Sequence, residues 1–148
     1  MSHTKVIERL NDAIKMEHTL AMQCFRYEMT VRGLWRLSLA PLFKNLAEEA
    51  QGHARKFASK VVALGAQPTC LVADVDDAKS PEDKVRSVLE LERGAFAVYT
   101  SALAMVPDGD TALRNMLEDH IDAEQQHIDE LTLLAADTAE AAKIRRAS

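Results

Sequence analysis

Leu113-Arg114-Asn115-Met116-Leu117-Glu118-Asp119-His120-Ile121-Asp122-Ala123-Glu124-Gln125-Gln126-His127-Ile128-Asp129-Glu130-Leu131 carries one apolar stripe, and the stripe is broken in its middle. Leu113, Leu117, His120, Glu124, His127 and Leu131 follow at alternating steps of four and three residues, the spacing of one face of an α-helix. Glu124 and His127 therefore stand where core side chains belong. Three more stretches share this design. One seam reads Leu10, Ile14, Glu17, Ala21, Cys24; another reads Leu42, Leu46, Glu49, His53, Phe57; the last reads Val85, Val88, Glu92, Ala95 or Phe96, Tyr99.

Around these seams the chain divides into four helical segments. The first spans about Thr4 to Arg32, with Val6, Leu10, Ala13, Ile14, Ala21, Cys24 and Val31 on its apolar face, and Gly33 ends or bends it. The second begins near Ser38, with Pro41 expected in its first turn, and ends at Gly65 with Pro68 beyond. The third starts at Ser80-Pro81-Glu82-Asp83, which supplies an N-cap, a proline at the first position and acids in the first turn. Pro107-Asp108-Gly109-Asp110 is a tight turn into the fourth. The connection at about residues 66–80 has no helical period. Some 15 residues can span up to ~50 Å, whereas a 26-residue helix is ~39 Å long. It can thus run the whole length of a bundle. The expected fold is an all-α four-helix bundle with one long crossover between helices 2 and 3, a single domain over residues 1–148. The less apolar tail, about 137–148, either extends the last helix or forms a short separate one.

Composition agrees. Five Gly and four Pro in 148 residues are half the ~18 of average usage, so the elements are few and long. The net charge of −5 argues against nucleic acid or an anionic membrane as partner. No apolar run approaches the ~20 residues of a membrane span. The N-terminus lacks a signal-peptide core, and Cys24 and Cys70 form no CxxC pair, so they read as reduced thiols of a cytoplasmic protein. Met16, Met22, Met29, Met105 and Met116 read most simply as core fillers.

The interrupted seams carry the chemistry. The separation of Glu17 from His53 matches that of Glu92 from His127 to within one residue, so the chain reads as two helix pairs of one design. Taken singly, each residue has a plainer explanation: a surface glutamate, an exposed Glu–His pair, a boundary histidine. His120 reads as a satisfied histidine at the core edge, and Tyr99 either packs or hydrogen-bonds a ligand carboxylate. Four carboxylates at matched depth (Glu17, Glu49, Glu92, Glu124) with His53 and His127 are costly to bury unless cations sit among them. Two divalent ions would balance their charge. Bundles with di-iron or di-manganese centres draw a Glu from each of two helices and a Glu-x-x-His from each of the others. Such ligands suit iron or manganese, with zinc also admissible.

In Lys5-Val6-Ile7 through Glu17, Glu48-Glu49-Ala50-Gln51-Gly52-His53-Ala54, Leu64-Gly65-Ala66-Gln67-Pro68, Leu89-Glu90-Leu91-Glu92 and Glu124-Gln125-Gln126-His127-Ile128-Asp129, the sequence resembles the ferritin-like superfamily, and within it the bacterioferritins. The resemblance implies a ferritin-like bundle with two iron ions per chain, manganese being the alternative. It implies Glu17, His53, Glu92, Glu124 and His127 as ligands, with Glu17, Glu92 and Glu124 as the catalytic carboxylates. It further implies ferroxidase chemistry, in which O2 or peroxide oxidises Fe2+ for storage or detoxification, and a homo-oligomer, a dimer at least and a cage at most. Three positions depart from that pattern. Ala50 replaces the bridging carboxylate, and Glu49, one residue earlier but still on the face of His53, is the candidate substitute. Gln51 stands at the position of the haem methionine, so haem is not expected by that route. Cys24 replaces a tyrosine. Two further readings stand beside ferroxidase: a rubrerythrin-like or oxygenase-like di-metal enzyme without iron storage, and an assembly subunit whose metal site has degenerated. Gly52 and Gly94, the glycines inside helices, read as room left beside the site.

Overall fold

A computed structural model describes residues 2–147, without the side chains of residues 137–142 and 144–145. Four helices account for most of it: α1 (Thr4–Thr30), α2 (Arg36–Ala63), α3 (Pro81–Ala104) and α4 (Thr111–Ala147). Among the described residues there is no strand, and no helix is long and apolar enough to cross a membrane. α1 packs on α2 and on α3, and α3 packs on α4.

Local chemistry sets the boundaries. Ser80 Oγ accepts the backbone N–H of Asp83 at 3.0 Å and Pro81 opens α3, the start foreseen from the sequence. α2 ends in a pair of reversed bonds, Ala66 N–H to Val61 O (3.1 Å) and Gly65 N–H to Val62 O (2.9 Å), around Gly65 at φ +84°. That is the Schellman termination, which needs a left-handed residue and hence favours glycine. α2 begins earlier than expected, at Arg36, which leaves Pro41 inside the helix rather than in its first turn. The cost there is small, because the carbonyl deprived of a partner belongs to the exposed Leu37. Arg36 Nη1 also closes the end of α1, donating to the carbonyls of Val31 (2.9 Å) and Glu28 (3.1 Å). The tail has one answer: α4 continues without a break to Ala147.

The crossover is held against α1. Asn11 Oδ1 accepts from Thr69 N–H (2.8 Å), Thr19 Oγ1 from Ala73 N–H (3.0 Å), and Tyr27 OH from Ala78 N–H (3.4 Å). The buried Gln23 exchanges two bonds with the Asp76 backbone, at 2.5 and 2.9 Å. From Asn11 to Tyr27 the strap climbs ~24 Å of helix. The chain thereby returns to the C-terminal end of α1, where the Lys84 ammonium donates to Thr30 Oγ1 (3.1 Å). α3 then descends antiparallel to α1 and parallel to α2. At the other end His3 Nε2 meets Asp110 Oδ2 at 2.9 Å, tying the start of α1 to the α3–α4 turn.

Apolar layers fill the bundle above and below its middle. Val6, Leu10, Phe57, Val61, Leu113 and Leu117 are fully buried, as are Tyr27, Leu39, Phe43, Val85 and Val88. The methionines depart from expectation. Met22, Met29 and Met105 are exposed and Met16 and Met116 half-buried, because the core stripe of each helix is already occupied by branched and aromatic side chains. Nor do the helical glycines keep room beside the cluster: Gly52 is exposed, and the Met16 side chain fills the space at Gly94. A Cβ on Gly52 would meet nothing within 4 Å, and one on Gly94 would meet the Met16 methyl at 2.9 Å. Gly52→Ala should therefore stabilise the fold by about 1 kcal/mol, a helix-propensity gain with no clash. Urea unfolding of the two proteins measures it, and equal or lower stability would show that Gly52 has another role.

Candidate metal centre

Midway along the bundle the apolar layers give way to a polar one. Glu17 of α1, Glu92 of α3 and Glu124 of α4 are 1%, 3% and 1% exposed, and His53 of α2 and His127 of α4 reach in beside them. Each helix therefore delivers a side chain able to ligate a metal to one depth. The interruptions of the four seams are the same event, met four times along the chain.

The donors form two groups that share one residue. Glu17, His53 and Glu124 offer atoms within 4.8 Å of one another, and so do Glu92, Glu124 and His127. His53 Nδ1 lies 3.6 Å from Glu17 Oε1 and 3.5 Å from Glu124 Oε1. His127 Nδ1 lies 3.5 Å from Glu92 Oε1 and 4.0 Å from Glu124 Oε2. These spacings are too long for good hydrogen bonds. Among the described residues, six buried side-chain atoms lack a hydrogen-bond partner: Glu17 Oε1 and Oε2, His53 Nδ1, Glu92 Oε2, Glu124 Oε2 and His127 Nδ1. All six belong to this cluster. Native interiors satisfy their buried polar atoms almost without exception, and orphaned lone pairs converging from four helices suit a cation-binding site. Carboxylate oxygens and imidazole nitrogens fit iron, manganese or zinc.

Glu49 is placed differently. It is half exposed at the rim, and its Oε2 lies 2.5 Å from His127 Nε2, the ring nitrogen that points away from the other carboxylates. Spacing along α2 pairs Glu49 with His53; the closest contact crosses to α4, a partner that no spacing within one helix reveals. Ala50, where a carboxylate is missing, is buried. Tyr99 OH approaches Glu124 Oε1 at 3.5 Å. His120 is buried with its Nδ1 on the Met116 carbonyl at 2.7 Å, and its ring lies 4.8 Å from that of His53 and 4.6 Å from that of Phe57. Cys24 lies in the same interior, and burial, then Glu92 and Glu17, push its thiol far up, so it stays protonated.

Without a cation the cluster holds protons instead. Burial pushes Glu17 up to about 7, against the pull of His53. Burial likewise pushes Glu124 up to about 8, opposed by His53 and reinforced by Glu92. Burial pulls the imidazoles down, but Glu124 and Glu17 outweigh it at His53, raised to about 10, and Glu92 does so at His127, raised to about 9. All four groups bind protons more tightly folded than unfolded. Their contribution is thus greatest below the unfolded values and is lost as pH rises through the folded ones. The metal-free protein should lose stability steadily between about pH 5 and pH 10, read as a falling Tm. A Tm that rises over that interval would contradict the cluster's electrostatics.

The helices and the cluster together define a bundle with a carboxylate–histidine centre able to hold two cations. The sequence matches the ferritin-like domain family over residues 7–141. The chain belongs to the ferritin-like family. A ferritin-like, diiron-carboxylate protein from Bacillus anthracis str. Ames is 29% identical, with a TM-score of 0.87 over 91% of this chain and 99% of that one. Bacterioferritin from Rhodobacter capsulatus, described with a metal-free dinuclear site and haem iron, is 25% identical, with a TM-score of 0.85 over 94% and 88%. A dodecameric thioferritin from Bacteroides fragilis shares the fold at 20% identity, with a TM-score of 0.87 over 97% and 91%. A comparison with curated proteins returned no match.

Proposed function

We propose that this chain is a bacterioferritin-like di-iron protein that takes up Fe2+ and oxidises it with O2 or peroxide, in iron storage or detoxification. The observation that carries the reading is the set of six orphaned buried atoms, sorted into two donor groups that meet at Glu124. Its likeness to the Bacillus anthracis diiron-carboxylate protein and to the Rhodobacter capsulatus bacterioferritin, described with a dinuclear site, supports it.

In this reading Glu17 and His53 hold one metal, Glu92 and His127 the other, and Glu124 lies between. Two bound Fe2+ ions would be substrate and electron source together, each giving one electron to the oxidant and becoming Fe3+. The protein's part is to assemble the donors in a water-poor layer. Tyr99 keeps its hydroxyl 3.5 Å from Glu124, within reach of a closer bond once that carboxylate is drawn to a metal. His53 and His127, which hold protons in the metal-free cluster, must surrender them on loading, so uptake weakens in acid.

Ala50 favours a second reading, a di-metal oxidoreductase without storage, because α2 brings no carboxylate inside the cluster. Anaerobic Fe2+ titration followed by exposure to O2, with iron counted per chain, separates the two. Two irons and a ferric mineral of many more support storage, and two irons without mineral support the alternative. Glu17→Ala and His127→Ala should each lower the count to about one or fewer and slow oxidation beyond the ~10–100-fold that losing an outer-shell partner costs. Uptake below about one iron, unchanged in both variants, would remove both readings.

A homo-oligomer in the cytoplasm completes the proposal. Met22, Phe25 and Met29 stand half exposed on α1, beside a groove of about 430 Å³ whose apolar lining of Ala21, Met22, Phe25 and Ala47 is rimmed by Glu28, Lys44, Glu48 and Gln51. Contiguous exposed apolar side chains of this kind mark association surfaces. Gln51 at this groove offers haem no thioether. Light scattering should give a dimer or larger particle for the wild-type chain and a smaller one for Phe25→Glu; a monomeric wild type would refute the assembly.

A further inference from the structure

The two metal positions differ in what stands behind their histidines. His53 meets carboxylates through Nδ1 alone, and its ring edge abuts the ring of His120. His127 is gripped on both sides. Its Nδ1 faces Glu92 and Glu124 with no hydrogen-bond partner, and its Nε2 lies against Glu49. We infer that Glu49 is a positioning residue: it accepts the Nε2–H of His127, fixes the ring and leaves the Nδ1 lone pair to the metal, and is not itself a ligand. The inference rests on the metal-centre reading above.

Exposure and geometry support it. The ligand carboxylates are at most 3% exposed, whereas the Glu49 side chain is 51% exposed. Each ligand carboxylate shares a donor group with an imidazole Nδ1, and Glu49 belongs to neither group. An imidazole has two nitrogens, and a proton held on Nε2 makes Nδ1 the metal-binding atom. A carboxylate behind that proton also makes the ring a better donor. Since only His127 has such a partner, the Glu92–His127 position should be the tighter one.

Anaerobic Co2+ titration of wild type, Glu49→Ala and Glu49→Gln, followed by cobalt ligand-field absorption, tests this. The wild type should bind two ions. Glu49→Ala should weaken the tighter one about 10–100-fold, the usual cost of an outer-shell partner. Glu49→Gln should restore most of that affinity with an unaltered band, because the amide oxygen still accepts the Nε2–H but is a poor ligand. Unchanged binding in Glu49→Ala overturns the inference. So does a glutamine variant as weak as the alanine one with a shifted band, the mark of a lost ligand. Wild-type protein that takes up no Co2+ would sink the metal-centre reading. The hydrogen bond is then decided in metal-free protein by 15N–1H imidazole spectra. A protected His127 Nε2–H should vanish in Glu49→Ala and persist in Glu49→Gln, and a signal indifferent to Glu49→Ala overturns the inference.

Discussion

Three carboxylates meeting in the dry middle of a helical bundle is the condition to which the rest of the molecule answers. Each buried charge carries a desolvation penalty of several kcal/mol unless it is neutralised or paired. Glu17, Glu92 and Glu124 are nearly inaccessible, and their spacing to His53 and His127 leaves lone pairs unused. The layer is therefore poised between two fillings, protons or cations. Raised values at Glu17 and Glu124 and at both histidines are one expression of that state. Metal would replace those protons at the same lone pairs, which is why fold stability and metal affinity should depend on pH in opposite senses.

A cluster of that kind must be stabilised from outside itself. Leu10, Phe57, Leu113 and Leu117 fill one side of the polar layer and Tyr27, Phe43, Val85 and Val88 the other, all fully buried. The crossover completes the frame. Its backbone lies beside α1 for ~24 Å and would leave peptide groups unsatisfied there. Asn11, Thr19, Gln23 and Tyr27 take up those groups along the same side of α1. α1 thus has two polar faces with different duties: Glu17 looks into the bundle, and the amide and hydroxyl side chains hold the strap. With the strap in place α3 can start beside the end of α1, which brings Glu92 to the depth of Glu17.

Much of this could be read from spacing alone, because helix periodicity ties sequence position to facing direction. Glu17, Glu92, Glu124 and His127 interrupt stripes whose other members are buried, and the interruption is what a site at one depth requires. Spacing was silent where a contact crosses between elements. The clasp of Gln23 on Asp76 joins a helix to an aperiodic segment 53 residues away. The grip of Glu49 on His127 joins α2 to α4. Methionine departs from its expected place for another reason. Its apolar, flexible side chain suits a core or an interface equally, and on α1 the inward stripe was already full, so Met22 and Met29 face outward.

The step from Ala50 to Glu49 follows from the same periodicity. Neighbouring residues on a helix point about 100° apart. Moving a carboxylate back by one position on α2 therefore swings it off the inward face. Ala50, 3% exposed, keeps that face, while Glu49 stands 51% exposed at the rim and meets the far nitrogen of His127. One residue of displacement thus changes the kind of work a carboxylate can do. Inside, it would add a fourth negative charge and a bridge to the cluster. At the rim, it adds neither, but acts on the histidine from behind. With three carboxylates inside, two divalent cations would not be balanced by protein alone, and a small anion such as hydroxide would offset the deficit. A chain with this substitution need not have lost its centre. Under the di-metal reading proposed above, a bridge fixed by the protein would give way to one that solvent or oxidant can supply.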